Sequence, residues 1–380
     1  MGLLFSSIEF DATGSLEKLE SAIEHAAAMG AHSLLILSCD GNDLPTERLK
    51  DALSAVNIPL CGGIFPQIIH RQNVYERGSL VCGLTTTTPV AILTGLGALT
   101  DRDIAAATTD HPGFAAAQSY LVLTDGASAH LDAFIQRLGT VLDPEKTVLG
   151  AAAGSLKTVE KPCLITPRGL IDDAALIIGL DSPVNTGIGH GWEPVAGPFI
   201  VTRSQGRNVL ALDYRPAFDV YRETVESLIN RRLEPSDFFS VASRFPLAID
   251  HFARRPIVRS PIRLDGATLI CTGHVPENSA VYIAQGHDHT VIAAALKSAQ
   301  TAQGNPESAA AQQDTVIFDC LNRQLCLEEK FAAELTGLWS TVSTTADLVG
   351  ALSMGQIARV NEGTLRLLNN TTVTGVSQGH

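Results

Sequence analysis

Residues 33–39 read SLLILSC, and Asp40-Gly41-Asn42 follows at once. A short, nearly continuous apolar run without helical spacing describes a buried strand, and Asp-Gly-Asn breaks it. Upstream, Leu16, Leu19, Ile23 and Ala26 recur at helical spacing and stop at Gly30. Downstream, a helix over about 45–55 leads to 58–65 (IPLCGGIF), and polar turns lead on to 79–84 (SLVCGL). The same order returns at 119–124 (SYLVLT), where Asp125-Gly126 turns the chain into a helix over 128–139. Then come 147–156 (TVLGAAAGSL), 162–166 and 174–180 (AALIIGL), the last two joined through Arg168-Gly169. A third copy starts at 315–320 (TVIFDC), passes a helix near 327–335 and reaches 347–357 (DLVGALSMGQI). It closes in a strand pair at 357–361 and 364–374, turned at Glu362-Gly363.

Strand, polar break, helix, Gly-punctuated apolar segment and hairpin thus occur three times, which indicates duplication of one supersecondary unit. The glycines at 62/63, 150/154 and 350/355 suit close backbone approach or a bulge at a strand end. The expected fold class is α/β, a two-half mixed-sheet architecture with helices covering the sheets and an internal strand-helix-strand-hairpin repeat. Between the second and third copies, 185–195 (NTGIGHGWEPV) is Gly-rich, 199–203 and 208–212 read as a hairpin turned at Gly206, and 214–230 is helical. The domains are therefore read as 1–184, a linker and hairpin at 185–214, and 215–376. Residues 302–313 (AQGNPESAAAQQ) read as a flexible surface loop.

With 380 residues and 45% hydrophobic residues, the chain has ample material for a core without staples. Aromatics are only 5%, so small and β-branched side chains do the packing. A formal net charge of −13 disfavours a phosphate backbone as partner, and nucleic acid is not expected. The seven cysteines, Cys39, Cys61, Cys82, Cys163, Cys271, Cys320 and Cys326, are odd in number, irregular in spacing and embedded in apolar runs. They read as buried thiols in a reducing, cytoplasmic compartment, without disulfides. The opening MGLLFSSIEFDATG lacks a basic segment, and no apolar run approaches 20 residues, so neither a signal peptide nor membrane insertion is expected.

Enzyme motifs are weak. Gly375-Val376-Ser377-Gln378-Gly379 has the nucleophile-elbow pattern, but no helix can follow it before His380. No GxxxxGK[ST] loop occurs, and Gly187-Ile188-Gly189-His190-Gly191 lacks the dinucleotide spacing. His287-Asp288-His289 would suit a metal on a strand, yet it joins a strand to a helix, where two exposed histidines are the commoner outcome. Two other places carry ligand chemistry. In His190-Gly191-Trp192, a Gly-flanked imidazole can approach a bound group; alternatively Trp192 plugs the core and His190 caps a strand. In PLAIDHFARR, His251 follows an apolar run, with Arg254 and Arg255 behind it and Arg259 and Arg263 further on. That mixture suits an anionic planar ligand, His251 acting as axial or hydrogen-bonding group and the arginines pairing carboxylates. It is equally a solvated element end, or, across 231–263, a surface for an acidic partner.

Several strings resemble the FIST N and FIST C pair, a sensory module of signal-transduction proteins. They are 150–154 (GAAAG), His190-Gly191-Trp192-Glu193-Pro194, Val201-Thr202-Arg203, Leu212-Asp213 through Pro216-Ala217 to Tyr221, Cys320-Leu321-Asn322-Arg323, Gly355-Gln356-Ile357 and Asn369-Asn370-Thr371. Gln356 stands where the family has Glu, and Leu368 where it often has His. The resemblance implies a cytoplasmic sensor, not an enzyme, with Gln356 and Asn369 near its ligand. For stand-alone chains it implies b-type haem, with His251 or His190 as axial ligand, and nitric oxide reported to a histidine kinase in a two-component system. A small metabolite, amino-acid-like or otherwise anionic, is the alternative ligand, and an unrecognised enzyme the remaining one. The oligomeric state, a homodimer included, stays open.

Overall fold

The computed structural model describes residues 4–42, 44–155, 161–250, 256–304, 313–342, 347–360 and 363–378. In the first copy, β1 (Phe5–Asp11) leads through α1 (Leu16–Ala28) to β2 (Ser33–Cys39), α2 (Thr46–Ser54) and β3 (Leu60–Phe65). Strands β4 (Gln67–His70) and β5 (Asn73–Tyr75) form a hairpin, and β6 (Ser79–Leu84) returns. The second copy is β7 (Val90–Thr94), α3 (Asp101–Ala107), β8 (Ser119–Asp125), α4 (Leu131–Val141), β9 (Thr147–Ala153), the hairpin β10 (Leu164–Thr166) and β11 (Gly169–Ile171), and β12 (Ala174–Leu180). The third opens on β13 (Val184–Gly189) and then takes a long insertion. The insertion comprises β14 (Trp192–Gln205), β15 (Asn208–Leu212), β16 (Arg215–Pro216), α5 (Ala217–Ile229), α6 (Phe238–Arg244), β17 (Leu247–Ile249), β18 (Ile257–Arg259), β19 (Pro261–Asp265), β20 (Thr268–Cys271) and β21 (Ala280–Gly286). The third copy then resumes with α7 (Asp288–Gln303), β22 (Thr315–Cys320), α8 (Leu321–Leu327), α9 (Phe331–Val342), β23 (Leu348–Ser353), the hairpin β24 (Gly355–Val360) and β25 (Thr364–Leu368), and β26 (Thr372–Ser377).

Each copy hands its hairpin to another copy's sheet. Strand β10 pairs with β3, β24 with β9, and β4 with β23, all antiparallel. Three six-stranded mixed sheets result, ordered β1-β6-β2-β3-β10-β11, β7-β12-β8-β9-β24-β25 and β13-β26-β22-β23-β4-β5. The exchange is cyclic, and it closes a pseudo-threefold ring. One central core draws on all three copies: Leu35, Leu37 and Phe65 meet Leu121, Leu123 and Leu149, and Val316, Phe318 and Val373 complete it. Helices cover the outer faces, each with its own apolar cluster. The insertion forms a separate, curled eight-stranded sheet around a further core.

The register makes the repeat quantitative. Gly62, Gly150 and Gly350 face Ile36, Val122 and Ile317 across the three parallel pairs β2–β3, β8–β9 and β22–β23. A Cβ on these glycines would lie 2.0, 2.0 and 1.9 Å from the facing residue's carbonyl oxygen. Close approach is therefore the reason for glycine at all three.

The expected segments 58–65, 147–154 and 347–355 are strands in equivalent settings, and α1 buries Leu16, Leu19, Ile23 and Ala26 as its spacing predicts. Details differ. The helix expected near 327–335 is two helices, α8 and α9, because Glu328 at φ +52° breaks the path between them. The strand expected over 364–374 is split by a turn at 369–371, where Asn370 sits at φ +55°, a conformation Asn tolerates. In the second copy, Gly169 turns an inner hairpin rather than joining 162–166 to 174–180 directly. Ala302 and Gln303 end α7 rather than opening a loop, and 305–312 lie outside the described residues. No described helix is long and apolar enough to cross a membrane.

Candidate functional site

Four residues past equivalent strand positions, each copy sends a side chain to the turn before its returning strand. Ser38, Thr124 and Asp319 are the equivalent positions, facing Ser79, Ala175 and Thr372. In the first copy, Asn42 donates to Ser38 Oγ at 2.9 Å and to the Gly78 carbonyl at 2.7 Å. In the second, Ser128 Oγ donates to Asp173 Oδ1 at 2.7 Å. In the third the residue is Arg323, fully buried.

Arg323 replaces a small neutral group by an ion cluster. Its Nε lies 3.0 Å from Asp319 Oδ1, four residues back on β22, and its Nη2 donates to Glu334 Oε2 of α9 at 2.6 Å. The same Nη2 reaches the Val291 carbonyl of α7 at 2.9 Å, and Nη1 reaches the His190 carbonyl at 2.7 Å. The guanidinium carbon stands 5.7 Å from the Trp192 ring centroid. Burial pushes both carboxyls up, Glu334 well above the usual carboxylate range, against the pull of Arg323. The two carboxyls titrate as a coupled pair, and burial with their mutual repulsion opposes ionisation of both at once.

Beside the cluster runs a cleft of about 210 Å³. Thr186, Ile188 and His190 form one wall from β13 and its exit, and Ile257 and Val258 a second from β18. Val360, Leu368 and Thr371 line it from β24 to the turn after β25, and Thr301 from α7. The lining is largely apolar, with three hydroxyls and one imidazole as hydrogen-bonding groups. Arg359 also borders the cleft. Its guanidinium donates to the carbonyls of Lys146, Gly363, Leu142 and Asp143 at 3.0, 2.6, 3.1 and 2.8 Å. Burial lowers its pKa while Asp143 opposes, and an arginine in that state remains cationic. Its donors are thus given to backbone on the α4 side of β24, as those of an open carboxylate clamp would not be.

Residues 33–215 match the FIST N domain, and residues 217–359 match the FIST C domain. This chain is a FIST sensory-domain protein. No curated protein matches it. FIST domains are signal-transduction sensory domains that bind small ligands. The cleft lies at the seam: Thr186, Ile188 and His190 fall in the FIST N match, and Ile257, Val258, Thr301 and Arg359 in the FIST C match.

The residues singled out in the FIST sequence are distributed unevenly around this cleft. His190 lines it, and its Nδ1 accepts the Trp192 backbone N–H at 3.1 Å. Trp192 is buried in the core beneath Arg323, against Ala284, Val291 and Ile317. Arg259 is buried and gives its donors to Asp132, Asn369 and the carbonyls of Leu367 and His274. It is a strut between β18, α4 and the turn after β25, not an open carboxylate clamp. Asn369 completes that strut, its Nδ2 donating to the Met354 carbonyl at 3.2 Å. Gln356 is fully buried; its amide donates to the Thr371 carbonyl at 3.0 Å and accepts from Ser353 Oγ at 2.9 Å. Gln356 and Asn369 thus support the cleft wall at Thr371 from behind. His251, Arg254 and Arg255 lie outside the described residues.

The sequence reading quoted Arg323 and Thr371 only within family strings, without a role, and passed over Arg359, Thr186 and Thr301. Arg323 had a signal, an Asp319-to-Arg323 spacing of four leading from an apolar strand into a helix. His287 and His289 stack at the start of α7, with centroids 5.8 Å apart. Among the described residues, no group of three or more His, Cys, Asp or Glu side chains is placed to hold a metal ion. Of the groups expected to hold a b-type haem, His251, Arg254 and Arg255 lie outside the described residues, His190 lines the cleft, and Arg259 gives its donors to the protein.

Proposed function

We propose that this FIST chain is a ligand-binding sensor rather than an enzyme, taking a small anionic metabolite into the seam cleft and signalling through a separate protein. The observation that carries the reading is the composition of the cleft: both family domains contribute walls, and apolar contacts surround three hydroxyls and an imidazole. A molecule of amino-acid size matches that volume, with the His190 imidazole and the three threonine hydroxyls as hydrogen-bonding groups for its polar ends. A two-walled site also gives a ligand different contacts in open and closed arrangements, which is what a sensor requires.

The thiols speak against a cysteine nucleophile, since all seven cysteines are buried and burial raises every one. Unpaired buried thiols also support a reducing, cytoplasmic setting. The output partner is a histidine kinase or another signalling protein, as the FIST resemblance implies. Haem-borne nitric oxide sensing is the more specific form of that resemblance, and the described residues lend it no support.

Native mass spectrometry after exposure to a small-metabolite extract tests the reading. The parent should gain a ligand mass, and Thr186→Trp, which fills the cleft, should not. Equal uptake by both proteins, or uptake by neither, would overturn it.

A further inference from the structure

We infer that the buried Asp319–Arg323–Glu334 cluster is the coupling element that relays occupancy of the cleft to the outer helices α7 and α9. The inference rests on the cleft being the ligand site.

The pseudo-threefold ring supplies its own control. Asn42 and Ser128 occupy the position of Arg323, and each holds only its own copy's turn, through short neutral groups. Holding that turn therefore does not require an arginine: the second copy uses Ser128 together with the buried Asp125 carboxylate, which accepts the Asp173 N–H at 2.8 Å. Arg323 holds its turn as well, through the Asn370 carbonyl at 3.4 Å, but its other donors leave the copy's sheet. They reach the cleft wall at His190, helix α7 at Val291 and helix α9 at Glu334. Asn370 in turn precedes Thr371, the opposite cleft wall. One rigid, planar group thus contacts both walls and both helices. Buried ion clusters are weak sources of stability, and their best-attested use is to specify one arrangement over another. Displacement of either wall must shift the guanidinium, and its two carboxyl partners sit on different elements, β22 and α9. That is a two-position device with a readable end on the surface helix.

The test needs no metabolite, so its failure is separate from failure of the ligand reading. Thr301 lines the cleft and is exposed, whereas every native thiol is buried. Thr301→Cys labelled with N-ethylmaleimide is therefore a covalent cleft occupant. Hydrogen exchange of the α9 amides, measured by mass spectrometry, should change about threefold or more on labelling. In the background Asp319→Asn, Arg323→Met, Glu334→Gln, which leaves the cluster uncharged, the label should leave α9 exchange unchanged. Should that background fail to fold, Arg323→Lys decides: it retains the charge but cannot span His190, Val291 and Glu334 together. An α9 indifferent to the label in the parent would overturn the inference. So would a response that survives in the folded variant.

Discussion

Arg323 Nη1 donates to the His190 carbonyl at 2.7 Å, tying a residue of the third copy's helix to one 133 positions earlier in the chain. The bond places a cleft wall under the control of a group with no solvent access. Arg323→Met alone should cost about 3–5 kcal/mol, because it strands Asp319 and Glu334 without their counter-charge. Adding Asp319→Asn and Glu334→Gln should recover most of that loss. Urea denaturation of the three proteins measures both steps, and a single variant as stable as the parent would contradict the buried-pair account.

The repeat makes a second prediction. Gly62→Ala, Gly150→Ala and Gly350→Ala each force a methyl to about 2 Å from a facing carbonyl. Each should destabilise by about 3 kcal/mol or more, at the upper end of overpacking costs. The three losses should be similar, since the three settings are equivalent. One of them at parental stability would break the pseudo-threefold equivalence.

Stability should fall steeply in alkali. Burial raises the pKa of all seven thiols, to about 12 for Cys39, Cys61 and Cys271. The unfolded chain loses these protons from about pH 8.5 upward while the folded chain keeps them. The stabilising contribution is therefore complete below the ordinary thiol range and is lost as pH rises toward the folded values. The slope is about 1.4 kcal/mol per thiol per pH unit, so seven thiols exceed a typical folding free energy within roughly two units. Circular dichroism under reductant should show cooperative unfolding near pH 10–11. A folded protein beyond that range would mean that the thiols are not desolvated.

Haemin added at micromolar concentration should give the parent no sharp Soret band, given the engagement of Arg259. A Soret band that disappears in His190→Ala or His251→Ala would instead establish an axial histidine and restore the haem reading.

Much of the ring was legible because each copy repeats one local pattern. The run at 33–39, the break at Asp40-Gly41-Asn42 and the glycines at 62, 150 and 350 all carry their meaning within a few residues. The exchange of hairpins was not legible. Strands β4 and β5 are only four and three residues long, and nothing in QIIH or NVY names β23, nearly 280 positions away, as the receiving edge. The site was legible at His190, where glycine flanks an imidazole. It was obscure at Arg359 and Thr371, whose roles arise only when β13, β18 and the β24–β25 hairpin converge from distant parts of the chain. Arg259 misled for the same reason: its pattern suggests a free clamp, and Asp132 and Asn369 close it only in the fold.

The most direct measurement is the thermal melting of the parent and Thr186→Trp across a panel of small carboxylic acids. A metabolite at about a hundred times its dissociation constant adds roughly 2.7 kcal/mol, a rise of about 3 °C for a chain of this length. At least one acid should raise the parent's melting temperature by that amount and leave Thr186→Trp unmoved. A panel that shifts neither protein, or both alike, would contradict a ligand site in the seam cleft.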